Sequence, residues 1–316
     1  MPYKSKKNTH MRVVFMGNPS FAIPTLKALM QSDHDVVAVV SNPINRIGRN
    51  NKRSLTPVGS FAVKNNLTNI NPESLKSEKF RKKLVSIKAD IFIVVAYKIL
   101  PPSLINIPKY GSLNLHASLL PKYRGAGPIQ WALMNGDKVT GVTIFRLKRK
   151  IDTGNILFQQ KVNIKKNDNM QTLGMRLCEI GADSMISVLK DISSDKIKSY
   201  SQNSDKVSLA PKITKEMLLI NWSWSAKKIH NWIRGLSPHP GMHTLFKNRK
   251  VRIFKTKVFK GSGQEGVIVS LDKESCLIGT GDQLISILEI QLEGKKKMNI
   301  SEFLMGANLI EGCTLG

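Results

Sequence analysis

Asn114 and His116 stand two residues apart in an apolar, alternating run, GSLNLHASLLPKYRG, that fills positions 111–125 and breaks at Leu120-Pro121. In an extended strand such residues project to the same side, so an amide donor and a titratable ring would enter one pocket. Asp152, in the turn-prone sequence Ile151-Asp152-Thr153-Gly154, offers a third polar group. A donor, an imidazole and a carboxylate can together stabilise an oxyanion and move a proton, which is the chemistry of acyl or formyl transfer. Each residue also has a plain structural reading. A histidine beside a strand is often a satisfied structural side chain, Asn114 can cap a turn, and Asp152 can make an Asx turn ahead of Gly154. Spacing alone leaves both readings open.

These residues need a scaffold. Residues 12–16 (RVVFM) form a short β-branched and aromatic run that ends at Gly17-Asn18-Pro19, and residues 21–30 follow with a helical pattern. Residues 35–40 (DVVAVV) and 91–96 (IFIVVA) are further buried strands. Near-continuous apolar runs separated by helical segments predict a parallel sheet covered on both faces, a doubly wound, Rossmann-like α/β domain. Ligands of such sheets sit beyond the carboxyl ends of the strands, where Gly17-Asn18, Ala96-Tyr97 and residues 114–118 would fall. The first turn, GNPSFA, lacks the glycines of GxGxxG, and Pro19 removes a backbone donor, which disfavours a nicotinamide oxidoreductase.

Beyond a helix predicted at 172–190, residues 193–212 turn polar and read as a linker. A helix at 225–236, a turn at Pro238 to Pro240 and short strands within 242–259, 266–270, 275–278 and 283–290 predict a small, OB-like β-barrel. Its basic strand faces suit contact with a nucleic-acid backbone, or protect an edge from aggregation. The expected organisation is a disordered extension at 1–10, with Met11 as an alternative start, a catalytic domain at 11–192, the linker at 193–212 and the barrel at 213–316.

A chain of 316 residues with 41% hydrophobic content supports two packed domains. Its 49 basic against 22 acidic residues give a net charge of +27, which points to a polyanionic partner, nucleic acid first. A lysine-rich background composition would raise the charge without any partner. Between Asn42 and Val58 the basic residues Arg46, Arg49, Lys52 and Arg53 crowd a segment with few apolar side chains. It is either a solvated loop or an arm that orders on phosphates. No apolar run is long enough to span a membrane, so a membrane partner is not expected. Cys178, Cys276 and Cys313 are odd in number and far apart, which suggests neither a disulfide framework nor a zinc site and fits a reducing cytosol. The six histidines lack ligand spacing such as HExxH, so chemistry without a metal is expected.

Asn114-Leu115-His116, Ser118-Leu119-Leu120-Pro121, Arg124-Gly125, Pro128-Ile129, Thr140-Gly141-Val142-Thr143 and Asp152-Thr153-Gly154 together resemble the signature of the folate-dependent formyltransferases. The likeness continues through Ser225-Ala226, Ile233-Arg234 and Pro238 to Pro240. It implies a cytoplasmic, monomeric enzyme that takes the formyl group of 10-formyltetrahydrofolate and places it on the methionyl amine of initiator tRNA for translation initiation. On that resemblance Asn114, His116 and Asp152 are the catalytic trio, and Ser118, Leu119, Leu120 and Pro121 belong to the folate site. The loop with Arg46, Arg49, Lys52 and Arg53 enters the tRNA acceptor arm, and the barrel binds tRNA. In the approach to Asp152 the family usually has an acidic residue and a glycine where this chain has Lys148 and Lys150, so added positive charge beside Asp152 is expected. Rival readings are a formyltransferase for a small amine, which needs no basic barrel, and a non-catalytic RNA-binding protein, which needs no trio.

Overall fold

The computed structural model describes residues 10–42, 54–306 and 309–316, and the chain divides into two compact units. The first takes Met1–Gly125, Thr140–Val162 and Gly174–Leu209; the second takes Ala126–Val139, Asn163–Leu173 and Ala210–Gly316.

In the first unit seven strands make one sheet: β1 (Arg12–Gly17), β2 (Asp35–Val40), β3 (Asn69–Ile70), β4 (Ile91–Val95), β5 (Ser112–His116), β7 (Val139–Arg146) and β8 (Ile156–Asn163). Their order is β3-β2-β1-β4-β5-β7-β8, while β6 (Arg124–Gly125) pairs separately with β9 (Leu209–Ala210). The five strands from β3 to β5 are parallel, and β7 runs antiparallel to β5. Every residue of β4 is buried, as are the last five of β1, which is why these strands read as unbroken apolar runs. The chain leaves β1 toward β2 and β3, then returns to lay β4 on the other flank of β1. That reversal opens the crevice in which doubly wound sheets take ligands.

Helices α1 (Ile23–Met30), α2 (Pro57–Lys64), α3 (Glu78–Ser86), α4 (Pro102–Ile105) and most of α6 (Met170–Ser193) accompany this sheet. The segment read as a loop from Asn42 to Val58 ends earlier, because Thr56 caps α2 by accepting from the Gly59 N–H at 3.0 Å, with Pro57 opening the helix. On one sheet face Val14, Met16, Phe92 and Val94 pack with Phe80, Leu84, Leu104 and Ile105. Asn114 lies beside Val94 in register and shares that face, while Leu115 points the other way, close against Gly181 of α6.

The second unit holds α5 (Pro128–Met134), α7 (Ala226–Gly235), α8 (Ile300–Gly306) and six strands: β10 (Met242–Phe246), β11 (Arg249–Phe259), β12 (Ile268–Leu271), β13 (Cys276–Gly279), β14 (Leu284–Leu292) and β15 (Met298–Asn299). The small barrel expected from the sequence takes the form of an antiparallel sheet in the order β10-β11-β14-β13-β12, with β15 beside β14. Single bridges from Leu219 to His243 and from Val267 to Thr314 cover its two ends. Ile229, Ile233 and Leu236 pack with Val251, Ile253, Ile278, Ile285, Ile287 and Ile290 to form the core. Along β11, Val251, Ile253 and Thr256 turn inward while Arg249, Lys255 and Lys257 are exposed, so the alternation that builds the core also displays the cations.

Candidate active site

The ladder fixes the first two side chains. Asn114 lies between Val94 of β4 and Phe145 of β7, and His116 faces Thr143, so both project from the carboxyl end of β5. Asn114 is half-buried, and its amide makes no hydrogen bond among the described residues. His116 is 7% exposed and meets the Phe145 ring edge-on, with centroids 6.5 Å apart. Its Nε2 lies 2.8 Å from the Tyr123 carbonyl oxygen. A carbonyl only accepts, so Nε2 carries the proton in that bond. Nδ1 is thereby the nitrogen turned to the site, 3.9 Å from Oδ2 of Asp152.

Asp152 arrives on an irregular loop between β7 and β8. Its backbone is left-handed, with φ of 50°, a costly conformation for a residue with a side chain. The Gly125 N–H donates to Oδ2 at 2.8 Å. Gly154 is required by close approach: a Cβ there would sit 1.5 Å from the Arg146 carbonyl oxygen. The Gln202 side-chain amide donates to the carbonyls of Asp152 and Gly154 at 2.9 and 2.8 Å, and its oxygen accepts from Nε and Nη2 of Arg124 at 3.1 and 2.6 Å. Lys148 Nζ donates to Asn155 Oδ1 at 2.9 Å, and neither Lys148 nor Lys150 forms an ion pair with Asp152 among the described residues.

Ser118 and Leu120, two of the residues assigned to folate, face inward. The Ser118 hydroxyl donates to the Lys122 carbonyl at 2.7 Å, and Leu120, 3% exposed, packs with Phe145 and Ile156. Thr143 holds the turn: its Oγ1 donates to the Ser118 carbonyl and accepts from the Leu120 N–H and from Nε2 of Gln159. Leu119 and Pro121 are half-buried. Tyr97, just beyond β4, packs on the core of the Asn114 face, and its buried hydroxyl has no hydrogen-bond partner among the described residues. Burial pushes its phenol well above the usual range, so it stays a neutral donor. Arg46, Arg49, Lys52 and Arg53 lie outside the described residues.

Thr143 and Arg124 stood within recognisable sequence motifs, but nothing in their types marked them as supports for the trio. Gln202 carried no signal at all in a polar run. Among the described residues no group of three or more His, Cys, Asp or Glu could hold a metal ion, and no helix is long and apolar enough to cross a membrane.

The formyl transferase family model matches residues 11–189, and the model of the formyl transferase C-terminal domain matches residues 212–308. A methionyl-tRNA formyltransferase of Caldanaerobacter subterraneus is 40% identical over 309 residues, 96% of this chain and 100% of the relative. That of Carboxydothermus hydrogenoformans is 42% identical over 307 residues, with coverage of 96% and 99%. Among solved structures, the sugar 3N-formyl transferase WlaRD shares the fold with a TM-score of 0.65 at 21% identity, covering 90% of this chain and 99% of its own. HypX of Aquifex aeolicus in complex with tetrahydrofolic acid gives a TM-score of 0.65 at 18% identity, covering 94% and 47%. With both domain models matched and identity of this order over nearly its whole length, the chain belongs to the formyltransferase family and, within it, to the methionyl-tRNA formyltransferases.

Proposed function

We propose that this chain transfers the formyl group of 10-formyltetrahydrofolate to the amino group of methionyl initiator tRNA, as a monomer in the cytoplasm, and that Asn114, His116 and Asp152 carry the chemistry. The observation that supports the residue roles best is the pairing of His116 and Asp152 at the carboxyl end of β5, with both side chains close to fully buried. With Nε2–H engaged by Tyr123, a neutral imidazole turns a bare Nδ1 toward Oδ2, two acceptors face to face. A proton on Nδ1 converts that contact into an attractive ion pair.

Attack of the amine on the formyl carbon forms a C–N bond and loads negative charge on the formyl oxygen. The unpaired Asn114 amide and the Nδ1–H of a charged His116 are the donors available to that oxygen. Asp152 takes the amine proton directly or through one water: Oδ2 already receives the Gly125 N–H, and its other oxygen has no hydrogen bond among the described residues. When the bond from the formyl carbon to the folate nitrogen breaks, the charged His116 gives its Nδ1 proton to that nitrogen, while the amine proton stays on Asp152 until it passes to solvent. Leu119 and Pro121 offer apolar contact to the folate, and Tyr97 offers it an unused donor. The roles of Arg46, Arg49, Lys52 and Arg53 at the tRNA acceptor arm rest on their charge and their place in the sequence, and the exposed cations of β11, Arg249, Lys255 and Lys257, are suited to phosphate contact within their own domain.

The test supplies 10-formyltetrahydrofolate with methionyl initiator tRNA in one arm and a nucleotide-linked amino sugar in another. Formylmethionyl-tRNA in the first and no product in the second is the expected result. Formylation of the sugar alone would overturn the acceptor assignment.

A further inference from the structure

Two residues of the site hold left-handed backbone without being glycine: Tyr123, with φ of 62°, whose carbonyl holds His116, and Asp152, with φ of 50°. Such conformations persist only where their surroundings over-determine them, and in both cases the surroundings include one segment far along the sequence. Tyr200 pairs through both backbone groups with Ile156, just past the Asp152 loop. Gln202 grips the carbonyls of Asp152 and Gly154 and binds Arg124, the neighbour of the Gly125 N–H that holds the Asp152 carboxylate. Ser208 Oγ accepts from the Tyr123 N–H at 2.9 Å, and its carbonyl accepts from the Arg124 N–H at 2.9 Å.

We propose that residues 200–208 are a strap that positions the catalytic pair, with Gln202 setting Asp152 and Ser208 setting His116 through Tyr123. The inference rests on the roles given above to His116 and Asp152, and neither strap residue touches the reacting atoms. A closed circuit carries it: Gln202 to the Asp152 carbonyl, the Asp152 carboxylate to the Gly125 N–H, and the Arg124 side chain back to Gln202. Without the Gln202 amide the carbonyls of Asp152 and Gly154 lose that partner, and the tie from Asp152 to the Arg124 segment is reduced to the Gly125 N–H on its carboxylate.

A double-mutant cycle tests the proposal on the full chain, with kcat and both KM values measured for methionyl initiator tRNA and 10-formyltetrahydrofolate. Gln202→Leu should lower kcat by about tenfold to a hundredfold with both KM values held within about twofold, because a small misplacement of an attacking group costs rate rather than affinity. Added to Asp152→Asn, it should cost nothing further, since it acts only through Asp152. Gln202→Glu keeps an acceptor for Arg124 but sets an oxygen against two carbonyl oxygens, so its kcat should fall as well; this variant carries the cycle if the leucine variant fails to fold. Ser208→Ala should lose less and should be silent in a His116→Ala background. Unchanged kcat in the Gln202 variants, or losses that multiply in the Asp152→Asn background, would overturn the proposal. Wild-type activity on methionyl-tRNA in the same assay separates that failure from a failure of the functional reading. Were the wild type to formylate only the amino sugar, the cycle would be run on that acceptor.

Discussion

The site is held in two different ways, and the contrast shows where this enzyme is robust and where it is fragile. Asn114 and His116 ride on β5, locked between β4 and β7 by backbone ladders that any side chain could serve. Asp152 rides on a loop with left-handed backbone, fixed by a glycine contact, a single backbone N–H to its carboxylate and the amide of a residue 50 positions away. Strand geometry survives most single substitutions, because register is set by many pairs at once. The loop depends on a few contacts, the Gln202 amide and the close approach at Gly154 among them. On the roles proposed for Asn114, His116 and Asp152, the strand supplies the precision of the site and the loop its vulnerability.

The sharpest way to break the contrast is Gly154→Ala. Its Cβ would lie 1.5 Å from the Arg146 carbonyl oxygen, so the loop must move, and kcat should fall by about a hundredfold or more for a displacement near an ångström. The strand half should stay intact, with binding of both substrates retained; lost folate binding would show that the halves are not separable. Asn114→Ala removes one donor and leaves the ladder alone, so kcat should drop by about a hundredfold, in the range for losing one oxyanion donor, with little change in KM.

A third measurement separates chemistry from stability in the pH profile. In the second unit, burial, reinforced by Arg234 and Lys166, pushes His230 down to about 4. The unfolded chain takes up a proton near pH 6.5 that the folded chain refuses until about pH 4. Stability from this group is thus complete above pH 6.5 and falls as pH drops through that window, by about 3 kcal/mol in all. His230→Gln should flatten the acid slope of thermal melts while leaving kcat at pH 7.5 unchanged. The smallest effect belongs to Lys148→Ala: its ammonium binds Asn155 and not Asp152, so kcat should change by less than about twofold, the scale of an exposed polar contact. A tenfold loss would restore the electrostatic role expected of that lysine.

Much of the fold could be read from the sequence because its signals are local. The runs at 12–16, 35–40 and 91–96 carry β1, β2 and β4, buried throughout β4, beyond Arg12 in β1 and over the last three residues of β2, and the alternation in 249–259 separates core from cations within one strand. Asn114 and His116 do fall two apart on β5, where a strand sends alternate residues to one side. Other features were not legible. Ser118 and Leu120 sit inside the motif but spend their side chains on the turn, which only tertiary contacts reveal. Gln202 bonds to residues 48, 50 and 78 positions away, and a glutamine in a polar stretch has no periodicity to announce such reach. The grouping of Ala126–Val139 with the second unit also comes from distant partners: the Trp131 Nε1–H donates to the Pro211 carbonyl, and Gly235 of α7 lies tight against Met134.

The central claim is that His116, held by Tyr123 and faced by Asp152, performs formyl transfer and does not merely shape the site. Single-turnover transfer from 10-formyltetrahydrofolate to methionyl initiator tRNA, with tRNA affinity measured alongside in wild type and His116→Ala, tests it most directly. The account predicts a transfer rate lower by about a thousandfold, within the range for losing a proton-transfer group, with tRNA affinity retained. Near-normal transfer by the variant, or a loss of binding that matches the loss of rate, would contradict it.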